Sequence, residues 1–323
     1  MEVNTRSLPA RPARLRLLGV AFAVTFAFIA IAGCGSSGST DPASPTNGAT
    51  SNSSIAANGA TPNVSPQGAE ASTTVADAPQ TAVVGKVIDT PPGLVTTAPA
   101  NAALLNDYKL APADRSLVLT AAVPRVDIYD SATSTTPIRE LANPIDSGAP
   151  LTFLVDGLTS TRYKVLLPIR PNGATGWINP AQVSVLAHQY KITVELAAHK
   201  ITVTNGSSVV MSEPIGVGKD ATPTPNGRYY IKELIRPCYP DAKGVCVAND
   251  NGPYGPFAYG LSGFSPVLDD YNGKGEGTIG IHGTDNPDSV GKDASHGCIR
   301  MRNDAIRQLA KILPLGTPVI VKA

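Results

Sequence analysis

Ile281-His282-Gly283-Thr284 and Ser295-His296-Gly297-Cys298-Ile299-Arg300-Met301 bring one thiol and two imidazoles close together in the chain. The chain has only four His and four Cys. Half of its His and a quarter of its Cys therefore fall in these two stretches. Cysteine attacks as thiolate, and a free pKa of about 8.5 leaves little thiolate at neutral pH. A neighbouring imidazole removes that obstacle by taking the proton. Glycines beside both residues let backbone N–H groups approach a reacting carbonyl without obstruction from a Cβ.

Bulk composition narrows the function classes. The 323 residues suffice for about two domains once non-globular parts are set aside. Charged residues are 16% and the formal net charge is +1, so nothing electrostatic points to nucleic acid. Aromatics are few while Gly and Pro are plentiful, which suits small β-rich domains with many turns.

The N-terminal stretch reads as a targeting segment. Arg6, Arg11, Arg14 and Arg16 form a basic region, and Leu17 to Ile31 is apolar or small apart from Thr25. That run is short for a membrane span of about 20 residues and fits a secretory core. Ile31-Ala32-Gly33-Cys34 closes it and resembles a bacterial lipobox, with Cys34 as the lipidated residue. The alternative is a plain signal peptide cut near Ala32. Residues 1–33 are thus expected to be a lipoprotein signal peptide, and 34–80 a lipidated cysteine followed by a disordered tether of Ser, Thr, Ala, Pro, Asn and Gly. Export places the chain on the outer face of the cytoplasmic membrane or in the periplasm, where disulfides are permitted. Cysteine arithmetic then pairs Cys238 with Cys246 and leaves Cys298 free.

Residues 81–111 give no clear element. From 112 to 188 short β-branched or apolar runs recur: Ser116–Thr120, Val126–Tyr129, Leu151–Val155 and Tyr163–Leu167. Gly, Pro, Asp and Ser separate them, which predicts a small all-β barrel. Gly176-Trp177-Ile178-Asn179 followed by Val183 resembles the closing strands of bacterial SH3-like domains, with Trp177, the only Trp, expected as a core anchor. A second β-rich region starts near Tyr190. Lys191–Leu196 alternates with period two, Asn205-Gly206 predicts a tight hairpin, and Ser208–Met211 returns. Arg228–Lys232 is a further strand. Cys238 to Gly277 reads as a long functional loop, a flap over substrate with Tyr254, Phe257 and Tyr259 as contact residues or as pins to the core. Asn303 is expected to cap a short helix whose apolar face is Ile306, Leu309, Ala310 and Leu313. Pro314 stops it, and Pro318–Val321 is a last strand.

The ordered set of strands, Thr224-Pro225-Asn226-Gly227, Gly260-Leu261-Ser262 and the two motifs resembles the catalytic domain of the YkuD family of L,D-transpeptidases, over 189–323. The fold expected is mainly β: a β-rich catalytic domain with a short helix after the cysteine, preceded by the SH3-like barrel. The resemblance implies a peptidoglycan-crosslinking acyltransferase that needs no cofactor. Cys298 would attack the bond after the third residue of a stem peptide, commonly diaminopimelate, and form a thioester. An amine from a neighbouring stem would resolve it into a 3→3 crosslink. His282 would be the general base, oriented by the backbone carbonyl of Gly283. Backbone N–H groups around Gly297 and Cys298 would hold the oxyanion, Ser295 and His296 would shape the pocket, and Arg300 would meet a stem carboxylate. The expected partners are stem peptides and the membrane, with carbapenems as covalent inhibitors.

Competing readings stay open at this stage. The same site could pass its acyl group to water, as an L,D-carboxypeptidase. Papain-like wall peptidases also carry SH3-like modules, but there the cysteine precedes the histidine, the reverse of His282 and Cys298. A catalytically inactive wall-binding lipoprotein is the non-enzymatic alternative. A zinc site of His282, His296 and Cys298 lacks an evident fourth ligand, so no metal is expected.

Overall fold

A computed structural model describes residues 115–269 and 277–323, together with the backbone of one strand, Val84–Val87. The signal peptide, Cys34 and the tether fall outside the described residues. The described chain is mainly β, with one short α-helix, Asn303–Leu309, and two single-turn 3₁₀ segments.

The first region is a five-stranded antiparallel sheet. Its spatial order is Thr175–Ile178, Tyr163–Leu166, Thr152–Leu158, Ser116–Ala121, Val183–His188. A separate ribbon pairs Arg125–Ile128 with Arg139–Ala142. Alternation makes one core: Leu119, Val126, Ile128, Phe153, Tyr163, Val165 and Ile178 are all buried. Trp177 is only partly buried, and its backbone bridges to Tyr129 while Tyr163 and Ile178 fill the interior. Period two explains the correction, because Ile178 points inward and its neighbour must point out.

The chain leaves that sheet after His188 and enters a ten-stranded sheet at Tyr190–Glu195. Its main path continues through Pro318–Lys322, Gly227–Pro240, Ala258–Phe264, Thr278–His282 and Ile299–Arg300. Lys200–Asn205 and Ser208–Pro214 form the hairpin at the other edge, turned by Gly206 at φ 59°. The strand Val84–Val87 adds antiparallel to Gly227–Pro240, in the segment where the sequence shows no pattern.

Two expectations change here. The segment from Cys238 to Gly277 is not one flap. It contains the short strand Cys246–Ala248 and the central strand Ala258–Phe264. Tyr259 and Leu261 alternate inward there, but Gly260 and Gly263 hide the period because glycine contributes no side chain to either face. Asn303 does not cap the helix. Arg302 holds the N-cap position without a side-chain hydrogen bond, and Asn303 is the first helical residue. Ala305, Ile306 and Leu309 face the core.

The two regions touch through specific polar contacts. Tyr230, fully buried, donates its hydroxyl to the Thr152 carbonyl at 2.8 Å and packs with Leu154 and Leu166. Asn172 grips both polar groups of Phe264: its amide donates to the carbonyl at 2.8 Å, and its oxygen accepts the N–H at 2.9 Å. Arg170 donates to the carbonyls of Ser265 and Leu268, both at 3.0 Å.

Candidate active site

Strand register builds the site. On one face of the large sheet Leu234, Tyr259, Ile281 and Ile299 sit side by side in the core. Opposite partners across a ladder share a face, and successive residues alternate. The other face therefore presents Glu233, Gly260 and Gly280 in one row, and Ile235, Ala258, His282 and Arg300 in the next. Cys298 immediately precedes the short strand Ile299–Arg300, and the Gly280 backbone N–H is directed at its sulfur. His282 lies two residues beyond Gly280, about 7 Å along the strand.

The loop that carries the thiol is held from below. Ser295, fully buried, donates its hydroxyl to the Cys298 carbonyl at 2.5 Å and accepts the Gly297 N–H at 3.1 Å. Thr224 accepts the Gly218 N–H at 2.9 Å and donates to the Gly297 carbonyl at 3.0 Å. Thr222 donates to the Ser295 carbonyl at 3.2 Å. Gly297 has φ +114°, a conformation that disfavours any residue with a Cβ. With its N–H engaged by Ser295, Gly297 acts as a loop anchor and not as a free oxyanion donor.

His282 is 3% exposed, and its Nδ1 lies 2.5 Å from the Gly283 carbonyl. A carbonyl only accepts, so Nδ1 carries the proton and Nε2 keeps its lone pair in the neutral ring. Burial pushes the imidazole pKa down to about 4, and the Arg300 charge adds to this while the Gly283 contact opposes it. Burial also pushes the Cys298 thiol up, against the Gly280 N–H and the Arg300 charge, which both favour thiolate. At neutral pH the resting pair is thus thiol and neutral imidazole. Such a pair can move the thiol proton to Nε2 as the sulfur attacks a carbonyl.

Arg300 is 6% exposed and acts electrostatically on both groups from inside the site. The Tyr254 ring lies against the His282 ring, with centroids 4.7 Å apart. Tyr259 sits elsewhere: it is 1% exposed within the core, on the face away from His282. Phe257 is partly buried against that core. His296 is half-buried on the cysteine loop. Cys238 and Cys246 form a disulfide, Cα–Cα 5.2 Å, that closes the hairpin before the Tyr254 segment. Its neighbour Tyr239 accepts the Tyr254 N–H at 3.4 Å.

Several supporting residues have no motif signal. Asn303 accepts the Thr284 N–H at 2.8 Å and donates to the Asp250 carbonyl at 3.2 Å, tying the His282 turn to the Tyr254 segment. Asp250 in turn pairs with Arg236 at 2.8 Å and Arg307 at 2.9 Å. At Gly283 a Cβ would collide with Asn303 Oδ1 and stand 2.9 Å from Pro256, with the Gly255 backbone at 3.0 Å, so this close approach requires glycine. Gly283 was visible in the sequence; its partner Gly255 was not.

One face of this β-rich region thus gathers a thiol, a tautomer-fixed imidazole and a buried guanidinium, a set able to carry out nucleophilic chemistry. More particularly, residues 189–321 match the YkuD family model, the L,D-transpeptidase catalytic domain. The chain is 36% identical over 132 residues to the L,D-transpeptidase-named YkuD protein of Bacillus subtilis strain 168 and 35% identical over 132 residues to that of Bacillus licheniformis. Each match covers 41% of this chain and 65% of the relative, so this chain spans less than two thirds of the length of either. Among solved structures, an L,D-transpeptidase from Mycobacterium smegmatis aligns with 52% of this chain and 80% of its own, at 18% identity and a TM-score of 0.33.

Proposed function

We propose that the protein is a peptidoglycan L,D-transpeptidase that forms 3→3 crosslinks through an acyl-enzyme on Cys298. The observation that carries this is the His282–Gly283 contact. It leaves Nε2 unprotonated on the sheet face that also presents the cysteine. The family match over 189–321 supports the same reading.

The Cys298 thiol proton passes to His282 Nε2 while Sγ bonds to the carbonyl carbon of the third stem residue. The C–N bond to the terminal residue breaks, and the proton moves from His282 to the departing amine. An acceptor amine then attacks the thioester carbon and gives a proton to His282; the C–S bond breaks, and that proton passes to Sγ to restore the thiol. The Cys298 N–H is the oxyanion donor in this scheme, since Gly297 is engaged. The Arg300 charge supports sulfur as it becomes anionic. Lipidation at Cys34 after export would hold this chemistry at the outer face of the cytoplasmic membrane, and the region 112–188 would serve as an SH3-like, wall-facing module.

The test is mass spectrometry of tetrapeptide muropeptides incubated with the protein, alongside intact-mass detection of a carbapenem adduct. Crosslinked dimers and a single adduct, both lost in Cys298→Ala, are expected. Trimmed tripeptides alone would replace transpeptidation with carboxypeptidase action. An adduct and products that survive Cys298→Ala would overturn the nucleophile assignment.

A further inference from the structure

On the catalytic face one charged group has no role in the scheme above. Glu233 lies in the same cross-strand row as Gly260 and Gly280, and the Gly280 N–H is directed at the Cys298 sulfur. Two glycines in succession make a trough across the sheet, with a carboxylate at one end and the thiol at the other. The Glu233 side chain leans along this trough. A Cβ on Gly260 would lie 2.7 Å from its Cγ and 2.8 Å from its carboxyl carbon. With strands spaced about 4.8 Å apart, the carboxylate stands roughly 10 Å from the thiol.

Glu233 is 7% exposed, yet no described hydrogen bond reaches its carboxylate. Among the described residues its ion pair is with Lys232 Nζ at 3.7 Å, beyond hydrogen-bond length. The Lys232 ammonium is itself drawn aside, 3.4 Å from the Thr278 hydroxyl and 5.8 Å from the centre of the Phe264 ring. Held only by this long ion pair, the carboxylate keeps acceptor capacity for a donor that a ligand supplies. The neighbouring strand residue, Gly260, is what leaves room for it.

We infer that Glu233 forms a subsite for an ammonium group on the acyl-donor peptide. The inference rests on the transpeptidase reading and deepens it. The ammonium cannot be the attacking amine, because that nitrogen must come within about 3.5 Å of the thioester carbon. At roughly 10 Å along the trough, Glu233 instead holds a side-chain amine of the residue whose carbonyl is attacked, or of its neighbour. Glu233 is a specificity-determining residue and takes no part in proton transfer.

The test uses the full-length chain and two tetrapeptide donors that differ only in a third-residue side-chain amine, free or acetylated. Acylation of Cys298 is followed by intact mass with no acceptor present, which isolates the donor. The free amine should be preferred roughly 10–100-fold in kcat/KM, mostly through KM, as a charge-assisted contact implies. In Glu233→Gln the preference should fall to near one. In Lys232→Met, which keeps the carboxylate and removes its competitor, the preference should rise. An unchanged ratio in a folded Glu233→Gln overturns the inference. Should that variant not fold, an unchanged or reduced ratio in Lys232→Met overturns it. If the unmodified chain is acylated by neither peptide, the transpeptidase reading fails. Calorimetry of the two peptides on Cys298→Ala then decides the subsite alone: weaker binding of the acetylated peptide supports it, and equal binding refutes it.

Discussion

Thr224→Val should loosen the cysteine loop while leaving the sheet intact. Thr224 is 4% exposed, and its hydroxyl bridges the Gly218 N–H at 2.9 Å and the Gly297 carbonyl at 3.0 Å. Valine fills nearly the same volume, so no cavity is added, but both backbone groups lose their partner. Each unsatisfied buried group costs about 1–3 kcal/mol, or roughly 2–6 kcal/mol together. For a unit of this size about 2–4 °C of Tm is lost per kcal/mol, which gives a drop of roughly 4–24 °C. Freed at its carbonyl, Gly297 is no longer held at φ +114°, and the sulfur shifts. A displacement near 1 Å costs on the order of 10²-fold in rate. Thr224→Ser keeps both hydrogen bonds and loses one methyl, about 1 kcal/mol. Thermal melts and single-turnover acylation of the two variants give the comparison. A valine variant as stable as the serine variant, acylated within twofold of its rate, would refute the reasoning.

Two further outcomes follow from burial and crosslinking. His188 and His282 are both held neutral, with pKa pushed down to about 4 chiefly by burial. Below about pH 6.5 the unfolded chain binds protons that the folded chain refuses, so stability should be full above that pH and fall as pH drops toward 4, by on the order of 3 kcal/mol for each histidine. Melts at pH 7.5 and 4.5 should show this fall, with a shallower slope in His188→Phe; equal slopes would exclude His188 from it. Reduction of Cys238–Cys246, a loop with sequence separation 8, should cost about 2.5 kcal/mol by the chain-entropy account. A Tm unchanged by reductant would show that its strand pairings hold this hairpin unaided.

Much of the fold could be read from residue alternation. Lys191–Leu196 shows period two because Ile192 and Val194 face the core while their neighbours do not, whereas Ser116–Thr120 and Tyr163–Leu167 read as apolar runs because successive residues such as Val118 and Leu119, or Val165 and Leu166, are all buried. Ala258–Phe264 showed neither signal, because Gly260 on its outer face and Gly263 against Tyr229 and Ile279 write no polarity into a pattern. The catalytic candidates Cys298 and His282 were legible because their chemistry is local to short motifs. Their supports were not. Thr224, Asn303 and Asp250 act through contacts that span tens of residues of sequence, and nothing in the neighbouring residues of each announces its partner. Asn303 shows how a local rule fails: a residue type that favours caps sits one position inside the helix, and its side chain is taken by Thr284 and Asp250. Tyr259 failed for the opposite reason, since an aromatic residue among glycines resembles a contact residue whichever face it occupies.

Asn172 treats Phe264 as an adjacent strand would, satisfying its N–H and its carbonyl from another region of the chain. The hairpin so gripped is the one whose second strand ends in His282. The first β region is therefore a splint for the catalytic one. A protein cut at residue 189 would bare the amide and carbonyl of Phe264 and strand the Tyr230 hydroxyl without the Thr152 carbonyl. The unit held together by these contacts is thus longer than the stretch that carries the chemistry, and the two regions should melt as a single cooperative body.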